Sequence, residues 1–282
     1  MMDEKRIALG ILLAAFIVSV VGFVPAGNPA GLLLLLTVCA LAMREFYRLL
    51  ELGNMPASRH MGMVSGMLFV AVTWLCYRQD IPKAALWSLL LLILLINFFR
   101  LFAYDDARQA FQNALGTLFG FIYVAFFWSF FVRICMMGPL EKPALTGLYL
   151  LVAVKWGDAG AYFIGSRFGK HKLFPRISPK KSWEGLLGGI LFSTMVGVIW
   201  WKVSGAKLGI FNFPLYHALI LGLVLPVIGT MGDLVESLFK RAVNVKNSGA
   251  LAHGMGGMLD MIDSLLFTAP FMYMYIEFSL SP

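Results

Sequence analysis

Charge is scarce in this chain. Asp, Glu, Lys and Arg make up 13% of its 282 residues, about half the ~25% usual in a soluble globular domain. Cysteine is scarce too, with only Cys39, Cys76 and Cys135. They lie in or beside apolar runs and their spacing fits neither a zinc site nor a disulfide framework, so they read as small apolar packing residues. Internal repeats and low-complexity linkers are also missing, which favours one continuous unit over an array or a string of modules. Together these absences exclude a soluble enzyme of ordinary composition, a disulfide-framed secreted domain and a cysteine metal site.

Apolar sequence fills the chain instead: 60% of residues are hydrophobic and the mean hydropathy is +0.80. Apolar runs too long for core strands recur from end to end, so the bilayer is the natural solvent. The pattern predicts an all-α polytopic membrane protein of about nine spans of roughly 20 residues, over 7–24, 30–46, 61–77, 84–102, 115–134, 145–165, 186–203, 217–239 and 258–278. Residues 1–6 are charged and precede an apolar run, but Val24-Pro25-Ala26-Gly27 is a poor cleavage site, so the first helix is expected to be retained.

The formal net charge is +8. The basic residues gather in loops, where they fit anionic headgroups and topology better than nucleic acid, which is not expected as a partner. With the N-terminus in the cytoplasm, sixteen of the 23 Lys and Arg fall on the cytoplasmic side and six outside, with Lys155 inside a span. This bias sets the expected orientation, and the odd helix count puts the C-terminus outside.

Residues 1–140 carry their charges at helix ends, as solvated caps should, and read as a lipid-facing scaffold. The stretch 44–52 looks amphipathic and is expected to lie at the interface, with no chemistry assigned. Residues 141–282 differ. They place charged groups within or beside apolar spans, where each costs about 2.5–3.5 kcal/mol on insertion scales. Lys155 and Asp158 sit three apart on one helix and can pair, either to neutralise each other for insertion or as part of a site. Asp158 opens Asp158-Ala159-Gly160-Ala161-Tyr162, whose small residues let another backbone or a ligand approach. The loop 166–185 carries six basic residues. Resting on anionic lipid explains that charge but not the detail of Ser178-Pro179-Lys180-Lys181-Ser182-Trp183-Glu184-Gly185, where hydroxyls and lysines together suit phosphate oxygens.

Asp233, Glu236 or Ser237, and Lys240 recur along one helical face. An emerging cytoplasmic turn accounts for Lys240 and Arg241 more readily than for Asp233, one turn deeper beside Gly232. Asp260 and Asp263 follow the turn Gly254-Met255-Gly256-Gly257 at i, i+3, so both carboxylates face the same way. A helix N-terminus stabilises negative charge by about 0.3–1 kcal/mol, too little for two buried carboxylates repelling each other. A bound cation offsets that repulsion. Carboxylates with no convergent His or Cys suit a hard ion, so Mg2+, or Mn2+ in its place, is the expected cofactor. An acidic metal cluster and a basic phosphate-reading loop on one membrane face point to metal-assisted phosphoryl or nucleotidyl transfer. The residues by themselves name neither nucleotide nor lipid.

The stretch from Gly232-Asp233 through Ser237-Leu238-Phe239-Lys240-Arg241, Lys246-Asn247-Ser248-Gly249 and Gly254 to Asp263 resembles the C-terminal signature (232–264) of phosphatidate cytidylyltransferases. Asp158–Tyr162 and Ser178–Gly185 match in the same order, so the resemblance covers about residues 150–268. It departs from that pattern at Lys180, Asn247, His253, Met255 and Met261, while Asp233, Asp260, Asp263, Lys181, Lys240 and Arg241 match. The resemblance implies cytidylyl transfer from CTP to phosphatidic acid, giving CDP-diacylglycerol and pyrophosphate in phospholipid biosynthesis. It implies Mg2+ on Asp233, Asp260 and Asp263, with Lys240 also catalytic. Asp158, Ser178, Lys181, Ser182, Trp183, Glu184, Ser237, Arg241 and Lys246 would bind substrate. It further implies a homodimer in the bacterial inner membrane, its active site facing the cytoplasm. The alternatives are another CTP-dependent lipid-phosphate or polyprenol enzyme, and a transporter of an anionic substrate. A transporter usually shows repeated halves, which this sequence lacks.

Overall fold

The computed structural model describes residues 24–142, 144–245, 248–249 and 257–280. All but the last residue of the expected span 7–24 and most of the Gly254–Gly257 turn fall outside them. The chain runs through α1 (Pro29–Leu52), α2 (Arg59–Arg78) and α3 (Ala84–Phe99), which a 3-10 turn (Arg100–Ala103) extends. Next comes α4 (Ala107–Gly120), joined by a π-helical turn (Phe121–Phe126) to α5 (Phe127–Cys135). The second half holds α6 (Leu145–Phe168), α7 (Trp183–Val203), α8 (Leu215–Ala242) and α9 (Met258–Tyr275), the last ending in a π-helical turn (Ile276–Leu280). Two small antiparallel hairpins interrupt the helices: β1 (Lys172–Phe174) with β2 (Ser178–Ser182), and β3 (Lys207–Leu208) with β4 (Phe211–Asn212).

Local chemistry sets the helix ends. Asn28 caps α1, with Pro29 following; Asp106 caps α4 and Ser182 caps α7, each side chain accepting a backbone N–H of the first turn. After α8 the chain turns away at Asn244, φ 55°, a left-handed conformation that asparagine tolerates.

The all-α expectation holds, and eight of the nine expected spans coincide with helices. The expected 115–134 is the later part of one 29-residue run, Ala107–Cys135. Among the described residues, six runs are long and apolar enough to cross a membrane: α1, α2, α3 with its extension, α4 through α5, α7 and α8. The two that fall short are α6 and α9, which bear Lys155, Asp158, Asp260 and Asp263. α9 needs less apolarity because other helices cover it: Leu259, Ile262, Leu265, Leu266, Ala269 and Met272 are all buried. Among the described residues, length and composition therefore support six of the eight expected spans that fall there. α1 continues unbroken through 44–52, with Phe46, Tyr47, Leu49 and Leu50 buried and Arg44, Arg48, Glu51 and Leu52 exposed, so the amphipathic stretch packs its apolar face into the protein.

Two packing devices hold the helices together, the first of them between the two halves. The rings of Phe46 (α1), Tyr123 (π turn) and Phe239 (α8) meet with centroids 5.1 to 5.7 Å apart, the spacing of favourable tilted and edge-on pairs. Phe267 of α9 joins Tyr123 at 6.4 Å. Second, α6 and α7 approach glycine to glycine. A Cβ on Gly160 would fall 2.8 Å from the Gly188 carbonyl oxygen, and one on Gly188 the same distance from that of Gly160. Small residues at such a crossing let two backbones touch where lipid gives no hydrophobic drive to associate. The small residues after Asp158 thus serve backbone approach.

Candidate active site

Four elements bring the second half's charged groups together: α6, the β1–β2 hairpin, α8 and α9. On α6, Lys155 pairs with Asp158 at 3.4 Å, and the hydroxyl of Ser264 on α9 donates to Asp158 at 3.4 Å. The basic loop is folded as the hairpin. From β2, Lys181 reaches Asp233 on α8 at 2.9 Å and donates to the carbonyl of Thr230 at 2.9 Å. Ser182 is buried as the cap of α7, and Ser178 opens β2 opposite Phe174. Trp183 is exposed. The Glu184 carboxylate closes the hairpin by accepting the His171 backbone N–H and bonding its ring Nδ1.

Along α8 the expected stripe forms. Ser237 donates to Asp233 at 3.3 Å, and Lys240 pairs with Glu236 one turn back. Lys240 also bridges to Asp260 on α9 at 2.5 Å. Arg241 is exposed at the end of the helix, and Lys246 lies outside the described residues. α8 and α9 touch at Gly232, where a Cβ would come 2.6 Å from the Asp263 carbonyl oxygen.

The acids sort into two groups. Asp233, Glu236 and Asp263 converge, each offering a carboxylate oxygen within 4.8 Å of the others. Asp260 is engaged elsewhere: its carboxylate binds Lys240, the backbone and hydroxyl of Ser248, and the backbone N–H of Gly257. The i, i+3 spacing puts Asp260 and Asp263 on one side of α9, yet the first acid serves the helix start and the second faces α8. The cluster suits a hard cation. Asp263 is 5% exposed and Glu236 fully buried. Glu236 Oε1 has no hydrogen-bond partner among the described residues, a costly state for a buried carboxylate oxygen unless something positive meets it.

Three contributors escaped the sequence reading. Glu236 was named only as an alternative to Ser237. Tyr123, from the π turn, packs its ring against Phe239 and Phe267, with its hydroxyl buried and without a partner among the described residues. Glu45, on α1 in the half assigned no chemistry, binds the start of α9. A local signal existed only for Glu236, as a fourth acid on the stripe.

Fold and site together define a polytopic helical membrane protein with a buried carboxylate cluster set among lysines and a basic hairpin. Comparison with known proteins narrows this class to a family. The cytidylyltransferase family profile matches residues 4–279, and the chain belongs to that family of nucleotidyltransferases. It is 34% identical over 263 residues to the phosphatidate cytidylyltransferase of Staphylococcus saprophyticus, covering 90% of this chain and 94% of that one. It is 32% identical over 223 residues to the Chlamydia pneumoniae protein of the same name, covering 76% and 71%. A third match, 40% identical over 153 residues, is to the Bacillus subtilis phosphatidate cytidylyltransferase and spans 54% of each chain. The family resemblance read from residues 150–268 is borne out, and the match extends well beyond them.

Proposed function

We propose that this chain transfers the cytidylyl group of CTP to phosphatidic acid, releasing pyrophosphate and forming CDP-diacylglycerol, at a cytoplasm-facing site between α6, the β1–β2 hairpin, α8 and α9. The observation that carries the reading is the convergence of Asp233, Glu236 and Asp263 beside Lys181 and Lys240, in a chain of the cytidylyltransferase family.

The nucleophile needs little help. A phosphate monoester has a second pKa near ~6, so phosphatidate is largely dianionic at neutral pH and requires no strong general base. Its oxygen attacks the α-phosphorus, the bond from that phosphorus to the oxygen bridging the β-phosphate breaks, and pyrophosphate leaves with the electron pair. The task of the protein is to bring two polyanions together. Lys181 and Lys240 each hold a carboxylate in this structure, so each is fixed in place, ready to face phosphate oxygens without a reorientation cost. Ser178, Ser237 and Arg241 would add donors, and Asp158 with Lys155 closes the far side of the site.

Asp233 and Asp263, with Glu236, would hold Mg2+ or Mn2+. Asp260 would have to release Lys240 to join them. When bound, such an ion neutralises phosphate charge and makes the α-phosphorus more electrophilic. The orientation rests on the Lys and Arg bias. A cysteine introduced at Lys172 should label only from the cytoplasmic side, and labelling from outside would refute the orientation.

The deciding assay incubates purified protein with radiolabelled CTP and a panel of lipid phosphates. CDP-diacylglycerol formed from phosphatidate, with one pyrophosphate per turnover, supports the reading. Turnover of a polyprenol or its phosphate alone would replace it.

A further inference from the structure

We infer that Glu45 is a positioning residue for the acidic site: from α1 its carboxylate clamps the first turn of α9 and so sets Asp260 and Asp263. This rests on the reading of those acids as the working carboxylates.

The first backbone N–H groups of a helix have no partner within it and must find one when buried. At the start of α9 they are divided between two acids. Gly257 N–H goes to Asp260 on the same helix. Met258 N–H goes to Glu45 Oε1 at 3.0 Å, and Leu259 N–H to Glu45 Oε2 at 2.8 Å. One carboxylate thus accepts from two successive amides, which fixes both the rotation and the axial position of the helix start. Its negative charge also faces the positive end of the helix, the favourable sense.

The clamp extends to Asp260. The hydroxyl of Ser248, a buried residue, lies 3.3 Å from Glu45 Oε2 and 2.9 Å from Asp260 Oδ2, so one side chain touches both acids. Backbone closes around Glu45 as well: a Cβ on either Gly249 or Gly257 would collide with its carboxyl group. Phe46 and Tyr47, the next residues on α1, are buried, which anchors the helix that presents Glu45. Asp260 lies one residue beyond Leu259 and Asp263 one turn further. A helix start that rotated or slid would carry both away from Lys240 and from Asp233 and Glu236.

A mere cap would contribute stability and nothing else. The test therefore compares wild type, Glu45→Gln, Glu45→Ala and Asp263→Asn, all full-length in detergent. For each, kcat and the KM for CTP are measured, along with the rise in Tm on titrating Mg2+ without substrate. Glu45→Ala should lower kcat roughly 10–100-fold and raise the Mg2+ concentration for the half-maximal Tm shift by a similar factor, the usual cost of losing a residue that orients metal-binding groups. The KM for CTP should change far less. Glu45→Gln keeps the size and one acceptor, so it should fall between wild type and Glu45→Ala, and it decides the matter if Glu45→Ala fails to fold. Wild-type kcat and a wild-type Mg2+ titration in both variants, whatever their Tm, overturn the clamp. If Asp263→Asn is dead while the Glu45 variants are normal, only the clamp fails. If Asp263→Asn keeps both turnover and Mg2+ response, the site reading fails and the clamp goes with it.

Discussion

In the stretch 24–135, buried polar side chains bond mostly to backbone. Thr73 donates to the carbonyl of Phe69, Asn97 to that of Ile93, Ser129 to that of Phe126, and Tyr47 to that of Thr117. In the stretch 145–280 polar and charged side chains turn toward one another, mostly between elements: Lys181 of β2 to Asp233 of α8, Lys240 of α8 to Asp260 of α9 as well as to Glu236 on its own helix, and Ser264 of α9 to Asp158 of α6. Thr73, Asn97 and Ser129 thus bond within their own helical run and constrain no neighbour, while Tyr47 ties α1 to α4 through one neutral hydrogen bond. A set of buried ions constrains every helix that contributes one, because each unpaired charge left in a low-dielectric interior is costly. Apart from Glu45, which reaches the start of α9, the first region carries few such constraints. The second keeps an expensive arrangement that insertion into lipid alone would not call for.

The contrast can be broken or sharpened by substitution. Lys240→Met should have the largest effect, because it leaves Glu236 and Asp260 buried without their shared cation. A loss of about 3–5 kcal/mol is expected, together with loss of turnover, seen as a drop in Tm and absence of CDP-lipid. Lys181→Met should act differently. The Lys181–Asp233 pair is partly exposed, with side chains 20% and 38% accessible, so stability should fall by no more than about 1 kcal/mol. Turnover should drop about 100-fold if this lysine faces phosphate, and comparable kinetics to wild type would remove it from the site. Gly160→Leu should wedge α6 from α7 and cost about 1–3 kcal/mol through overpacking, read as a lower Tm. A Tm equal to wild type would mean that the glycine crossing is not tight. Asn97→Leu, in the first region, should be the mildest, with unchanged turnover and stability within about 1 kcal/mol. A large loss of turnover there would erase the distinction between scaffold and site.

Much of this was legible in the chain itself. Apolar runs located the eight described helical runs. The Lys155–Asp158 pair and the Asp233–Lys240 stripe followed from helical spacing, since both are local. What lay beyond reach was long-range. Asp260 and Asp263 share a side of α9 by spacing, but Lys240 on α8 and the turn at Gly257 draw the first away, and no i, i+3 rule contains that. The basic loop read as a phosphate-binding segment; that it folds into a hairpin placing Lys181 on Asp233 depends on α7 starting at its Ser182 cap. Glu45 was passed over as one charge in an amphipathic stretch, because its partners Met258 and Leu259 are more than two hundred residues away.

The central claim is that Asp233, Glu236 and Asp263 hold a divalent cation for cytidylyl transfer. Asp263→Asn tests it most directly, because Asp263 bonds no lysine among the described residues and its carboxylate accepts only the N–H of Ser264. Asparagine keeps the size and one acceptor but not the charge. Melting curves with and without Mg2+ are recorded for wild type and mutant, beside a CTP-to-CDP-diacylglycerol assay. The account predicts no detectable turnover, a metal-free Tm no lower than wild type because carboxylate repulsion is relieved, and a smaller rise in Tm with Mg2+. Near-normal turnover, or a Tm lowered equally with and without Mg2+, would contradict it.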